Sequence, residues 1–235
     1  MAITVEDTLS ELLHKAAEVA AHRKGKGGPP PASAGELLRA YYHRVAVDDI
    51  SDRADVDLYG ALASHYKLAQ LRPQGTANIR VFTPSVPQHG WSAAGHTVVE
   101  IVTDDMPFLV DSVTMALAGL ERTVHLVVHP MFDVLRDIAG DLKDVAYELE
   151  PGLGKDDGLV ILPESWMHIE IDRVSDDEDL VEIEHALRSV LRDVRDAVED
   201  WPRMQARLLD IVSDLREHPP TVLPAAELDH SVELL

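Results

Sequence analysis

The chain has 235 residues, enough for one generous domain or two small ones. Its 42 acidic and 21 basic residues leave a net charge of −21, which opposes binding to nucleic acid or to an anionic membrane. It has no cysteine, which excludes disulfides, thiolate zinc sites and cysteine nucleophiles, and no apolar run nears the roughly 20 residues that span a bilayer. The acidic start, Met1 to Asp7, lacks the positive and apolar regions of a signal peptide, so a cytoplasmic protein is expected.

Val5, Leu9, Leu12, Leu13, Ala16 and Val19 recur at helical spacing and predict an amphipathic helix. The Gly- and Pro-rich run from Arg23 to Pro31 ends it as a loop. No strand precedes that loop and no Gly-Lys-Ser/Thr follows, so it is not a phosphate loop. Ser33 and Glu36 have capping-box spacing ahead of a helix through His43. A third helix is predicted from Val56 to Leu71, then a short strand from Asn78 to Phe82.

Thr97 to Leu117 is the most informative stretch. Val98, Glu100 and Val102 would share one strand face, with Val99 and Ile101 on the other, as in a strand buried inside a sheet. Asp104 or Asp105 is placed to cap the next helix, with Pro107 near its first position and Leu109, Val113 and Leu117 at helical spacing. Such a strand-to-helix junction offers backbone N–H groups to a ligand. The candidate ligand-binding residues are therefore Asp104, Asp105, Met106, Phe108, Asp111 and Ser112. Asp104 and Asp105 fit either an ammonium group or plain helix capping, and Asp111 fits the helix dipole equally well.

One strand is predicted over Thr123–Leu135, a turn at Asp137–Asp141, and an antiparallel return over Leu142–Leu149. Pro151 to Gly158 is a loop. Trp166 to Val174 alternates, with Met167, Ile169 and Ile171 on one face and His168, Glu170 and Asp172 on a solvated or subunit-contacting face. His125 and His129 would stand about 13 Å apart along a strand, too far to share a metal. Ser175 and Glu178 form a second capping box, and Pro202 should interrupt the helix that follows. The order from residue 96 on is strand, helix, strand, strand, helix. This predicts an α+β fold: a ferredoxin-like βαββαβ unit with an antiparallel sheet, an N-terminal helical arm and C-terminal helices. The closing strand is not found before Leu235. The expected segments are a helical arm over 1–75, the α+β domain over 76–200, and a C-terminal helix and linker over 201–235.

The chain resembles the N-terminal region of the large bacterial NAD-specific glutamate dehydrogenases. The resemblance is carried by Ala40-Tyr-Tyr-His-Arg-Val45, Asp57-Leu-Tyr-Gly-Ala61, Arg80-Val-Phe-Thr-Pro84 and, most specifically, Thr103-Asp-Asp-Met-Pro-Phe-Leu-Val-Asp-Ser-Val113. His129-Pro130, His168-Ile-Glu-Ile-Asp-Arg173 and Asp200-Trp-Pro202 continue it. It implies an ACT-like domain, a class that binds amino acids or mediates assembly, within an enzyme that oxidises L-glutamate with NAD. The resemblance further implies amino-acid catabolism, allosteric regulation by an amino-acid effector, and partners in the enzyme's other domains and subunits. No catalytic residue, metal ligand or cofactor site is expected in this chain, since no strand is followed by Gly-x-Gly-x-x-Gly. Amino-acid-binding members place a glycine after the proline of the strand-to-helix turn. Here Phe108 stands there, so its side chain would close the approach. The alternative reading is a pure oligomerisation module without a small-molecule ligand.

Overall fold

The computed structural model describes residues 5–22, 27–149, 153 and 157–218. The helices α1 (Val5–His22), α2 (Ala34–Tyr42), the single turn α3 (Val47–Ile50) and α4 (Asp55–Leu68) come first. They are followed by β1 (Asn78–Phe82), the short α5 (Val86–His89), β2 (Thr97–Asp104) and α6 (Leu109–Gly119). Then come β3 (Val124–Val128), β4 (Met131–Arg136), β5 (Leu142–Ala146), β6 (Val160–Ile171) and α7 (Asp177–Glu217). Residues up to Leu191 form one compact unit, and those from Arg192 form a second.

The sheet of the first unit is antiparallel throughout. Its 12-residue strand β6 pairs along one edge with β2. Along its other edge it pairs first with β4, then with β3. The single strand expected over Thr123–Leu135 is therefore two, broken at His129-Pro130, because a proline cannot donate to the ladder. The ferredoxin-like unit is β2–α6–β3/β4–β6–α7. Its closing strand would lie beside β2. That place is filled by β1, which precedes β2 in the chain and pairs with it from Asn78↔Val102 to Phe82↔Val98. β5 widens the opposite edge through the hairpin with β4.

Two layers cover the sheet. Leu13 and Ala16 of α1, Leu37, Leu38 and Tyr41 of α2, and Leu58 and Leu62 of α4 share one buried cluster with Val102, Phe132, Val134 and Trp166. Burying a side chain of this size contributes about 1.5–3 kcal/mol, so the helical layer and the sheet stabilise each other. On the other face Val99, Ile101, Met167, Ile169 and Ile171 are fully buried. The apolar stripes available to cover them are Leu109, Val113 and Leu117 of α6 and Ile183, Leu187 and Leu191 of α7, all buried. Arg122, three residues beyond α6, pairs with Asp179 in the first turn of α7 at 2.8 Å.

Neither capping box forms. The Ser33 hydroxyl donates to the Pro30 carbonyl instead of accepting from α2. At α7 the carboxylate of Asp176, not the Ser175 hydroxyl, accepts the N–H of Glu178. The third helix stops at Leu68, and Asn78 Nδ2 donates to the carbonyls of Leu68 and Leu71. Within the second unit α7 continues to Glu217 with Pro202 inside it. The proline removes one N–H, but the local pairs Arg195–Glu199 and Arg203–Asp200 flank it, and the helix propagates beyond it. The basic half of the loop after α1, most of the loop from Pro151 and the segment after His218 lie outside the described residues.

Candidate functional site

β2 runs out at Asp104, and the chain turns through Asp105 to Phe108 before α6 begins at Leu109. The Asp105 N–H donates to the Pro163 carbonyl at 3.0 Å, tying the turn to the neighbouring strand β6. Phe108 is the N-cap of α6, with φ 70° and ψ 1° and no side-chain cap. Neither Asp104 nor Asp105 caps the helix, contrary to expectation, because the extra residues of the turn move the helix start past them. A phenylalanine at positive φ costs of the order of 1 kcal/mol. The turn thus keeps the backbone shape that suits glycine, and the ring swings outward, 69% exposed. It forms part of the lining of the depression beneath the turn.

Beneath the turn is a shallow depression of about 310 Å³, lined by Asp105 to Asp111 together with His129 and Met131. Four of the candidates, Asp105, Met106, Phe108 and Asp111, meet there. Asp104 does not. Its Oδ1 accepts from Arg72 Nη2 at 2.7 Å and its Oδ2 from the Gly75 N–H at 3.0 Å. Ser112 is not in the lining; its N–H closes the first turn of α6 on the Phe108 carbonyl. His129 and Met131, absent from the sequence-based set, arrive because the break between β3 and β4 lies beside the turn. The signal was the His129-Pro130 dipeptide in an otherwise β-branched run. Burial pushes the His129 ring down from its usual pKa, and the nearby Asp105 opposes that. His129 Nε2 meets the Ser165 hydroxyl.

The face of β6 expected to meet solvent is instead buried under the helical layer. His168 and Glu170 are 1% and 2% exposed, and only Asp172 of that set reaches water. Arg53 grips Glu170 in a fork, Nη1–Oε1 2.7 Å and Nη2–Oε2 2.6 Å. Burial pushes Glu170 up, but hydrogen bonds from His168 and Arg53 outweigh it and hold the carboxyl at about 2. Arg80 pairs with Glu100 at 2.8 Å. Arg72 and Arg136 both converge on Glu164, which also accepts from the Trp166 indole at 3.1 Å. His65 lies between Tyr41 and the Ile101 carbonyl. That carbonyl can only accept, so Nε2 carries the proton and Nδ1 accepts from the Tyr41 hydroxyl. Burial lowers this ring's pKa to about 3.

His125 and His129 are not brought together. The His125 ring stacks on His96 at 4.3 Å and bonds to Asp172, whereas His129 faces the turn. Among the described residues no cluster of three or more His, Asp and Glu side chains is arranged to hold a metal ion. No described helix is long and apolar enough to cross a membrane.

A family model described as the ACT1 domain of glutamate dehydrogenase matches residues 37–187, from α2 through the sheet to the first turns of α7. The chain belongs to this ACT1 domain family. NAD-specific glutamate dehydrogenases of Halomonas elongata and Pseudomonas aeruginosa are 34% and 33% identical to it over 195 and 189 residues. A third, from Mycobacterium tuberculosis, is 28% identical over 160 residues. These alignments cover 83%, 80% and 67% of this chain but only 12%, 11% and 9% of the relatives. The chain therefore spans a small part of the length of these relatives, and both the ferredoxin-like fold read from the strand and helix order and the ACT-like domain that the resemblance implied agree with the match.

Proposed function

We propose that this ACT1 domain is a non-catalytic regulatory and assembly domain of a cytoplasmic NAD-dependent glutamate dehydrogenase. The parent reaction converts L-glutamate and NAD to 2-oxoglutarate, ammonium and NADH, and its chemistry and its NAD belong to other domains. The observation that carries the regulatory half is the depression at the β2–α6 turn, where Asp105 and Asp111 stand together beside the first turn of α6. The N–H groups of that turn suit a carboxylate, and the two aspartates suit an ammonium group, so an amino acid is the effector class. Phe108, which lines the depression, and Met115 of α6, 69% and 73% exposed, favour the assembly half, because they are large apolar side chains left on the surface.

Thermal unfolding of the chain against L-amino acids and nucleotides tests the reading. One amino acid at about 100 times its dissociation constant should add roughly 2.7 kcal/mol, and Asp105→Ala should remove the shift. A flat panel overturns the effector half. Sedimentation of a Phe108→Ser, Met115→Ser variant then tests assembly, and a self-association unchanged from wild type overturns that half as well.

A further inference from the structure

A second concavity lies on the opposite side of the sheet from the α6 layer, between α4, β1 and the segment around α5. Its volume is about 220 Å³, below the roughly 300–1,000 Å³ of clefts that hold drug-sized ligands. Its polar lining is Tyr59, Ser64, Lys67, Arg80, Gln88 and His89, and no Asp or Glu lines it. In a chain with twice as many acidic as basic residues, this concavity is lined by a lysine and an arginine and by no carboxylate; the buried Glu100 offsets Arg80 from behind, which leaves Lys67 as its net positive charge. The long-range field of the chain repels polyanions, yet a small anion inside the cavity meets the near charges first.

Arg80 is held in place rather than waving in solvent. Its Nη2 donates to Glu100 Oε2 at 2.8 Å and to the Ser64 hydroxyl, and the guanidinium lies over the Phe82 ring at 3.8 Å. Its buried Nε has no hydrogen-bond partner, and no described residue bonds to Nη1. Nε is sealed from solvent and Nη2 is taken, so Nη1 is the donor that this fixed guanidinium offers to a carboxylate oxygen. Lys67, four-carbon stem against Gly27, makes no ion pair with any described residue. The floor is kept low by Gly28, where a Cβ would sit 2.9 Å from the Tyr59 hydroxyl. Trp91 supplies an aromatic wall.

We propose that this cavity binds a small organic dicarboxylate, one carboxylate on Arg80 and the other on Lys67. The inference does not rest on the effector reading of the β2–α6 turn. Succinate is the probe, titrated into the 235-residue chain at constant ionic strength while the Trp91 indole N–H resonance is followed. A saturable shift is expected. Arg80 is tied to buried Glu100 and its loss risks the fold, so the exposed Lys67 is the informative position. Lys67→Ala should weaken succinate about tenfold, the loss of one charged contact, and Lys67→Arg should restore it. No shift, a shift untouched by Lys67→Ala, or a response to inorganic phosphate but not to succinate overturns the proposal. A succinate response lost in Asp105→Ala but kept in Lys67→Ala puts the dianion at the turn and overturns it equally.

Discussion

Gly60 sits inside α4, where two effects of opposite sign meet. In an exposed helix Gly→Ala gains about 0.8–1 kcal/mol, because alanine restricts the unfolded backbone and glycine does not. A Cβ at Gly60 would lie 2.4 Å from both Cβ and Cγ of Trp91. Those atoms are next to the backbone and cannot swing aside as a side-chain tip does. Trp91 is 3% exposed and is held against Phe82 and Ala93, so relief requires moving the chain segment that carries it. Overpacking of this kind costs typically 1–3 kcal/mol, and here the overlap puts it at the upper end. The two terms together predict that Gly60→Ala destabilises the first unit by about 2 kcal/mol. Urea unfolding followed by near-ultraviolet circular dichroism reads this as a lower midpoint at unchanged slope. A midpoint equal to or above wild type would show that α4 and the Trp91 segment are not in contact as described, and would refute the reasoning.

Two further outcomes follow from the buried charges. Glu164→Gln leaves Arg136, 1% exposed, without its counter-charge and Arg72, 0% exposed, with Asp104 alone, and should cost about 3–5 kcal/mol; a melting temperature lowered by less than about 3 °C would contradict it. Acid should destabilise the fold below neutrality. His65 is held neutral with its pKa depressed to about 3, so the unfolded chain binds a proton that the folded chain refuses, and stability falls as pH drops from about 6.5 towards 3, by at most about 1.4 kcal/mol per pH unit. Glu100, whose pKa burial raises while Arg80 opposes, works in the other sense above about 4.5, and Glu170, held at about 2, adds to the loss below that. Stability measured from pH 7 to pH 3.5 should therefore fall most steeply below about pH 4.5, and His65→Gln should flatten the upper part; a wild-type curve level throughout would be inconsistent with a neutral buried His65.

What the sequence revealed was local. The 3.6-residue spacing of Leu9, Leu13 and Ala16 and the doubly apolar run Val98 to Val102 each carry their own period, and both elements appear where the period puts them. The polar alternation of β6 misled because the partners of Glu164 and Glu170 are far away in the chain. Arg53 lies 117 residues before Glu170, and Arg72 lies 92 before Glu164, so periodicity cannot announce that these carboxylates are neutralised in the interior. The closing strand was sought after α7, as the βαββαβ order demands, whereas an antiparallel ladder accepts a strand from either direction and took β1. At the turn, Asp105 and Asp111 were legible as candidates because they share one continuous stretch of chain. The outward swing of Phe108 was not, because residue type alone does not reveal a left-handed backbone.

The position of β1 also bears on how the domain is made. Among the described residues every strand of the sheet ends by Ile171, ahead of α7. A closing strand placed after α7 would reach β2 only once the whole of that 41-residue helix had been made. Closure from the front removes that interval. The side of β2 away from β6 is paired before β6 has left the ribosome, and the edge that the finished sheet presents there is the five-residue β1 in place of the eight-residue β2.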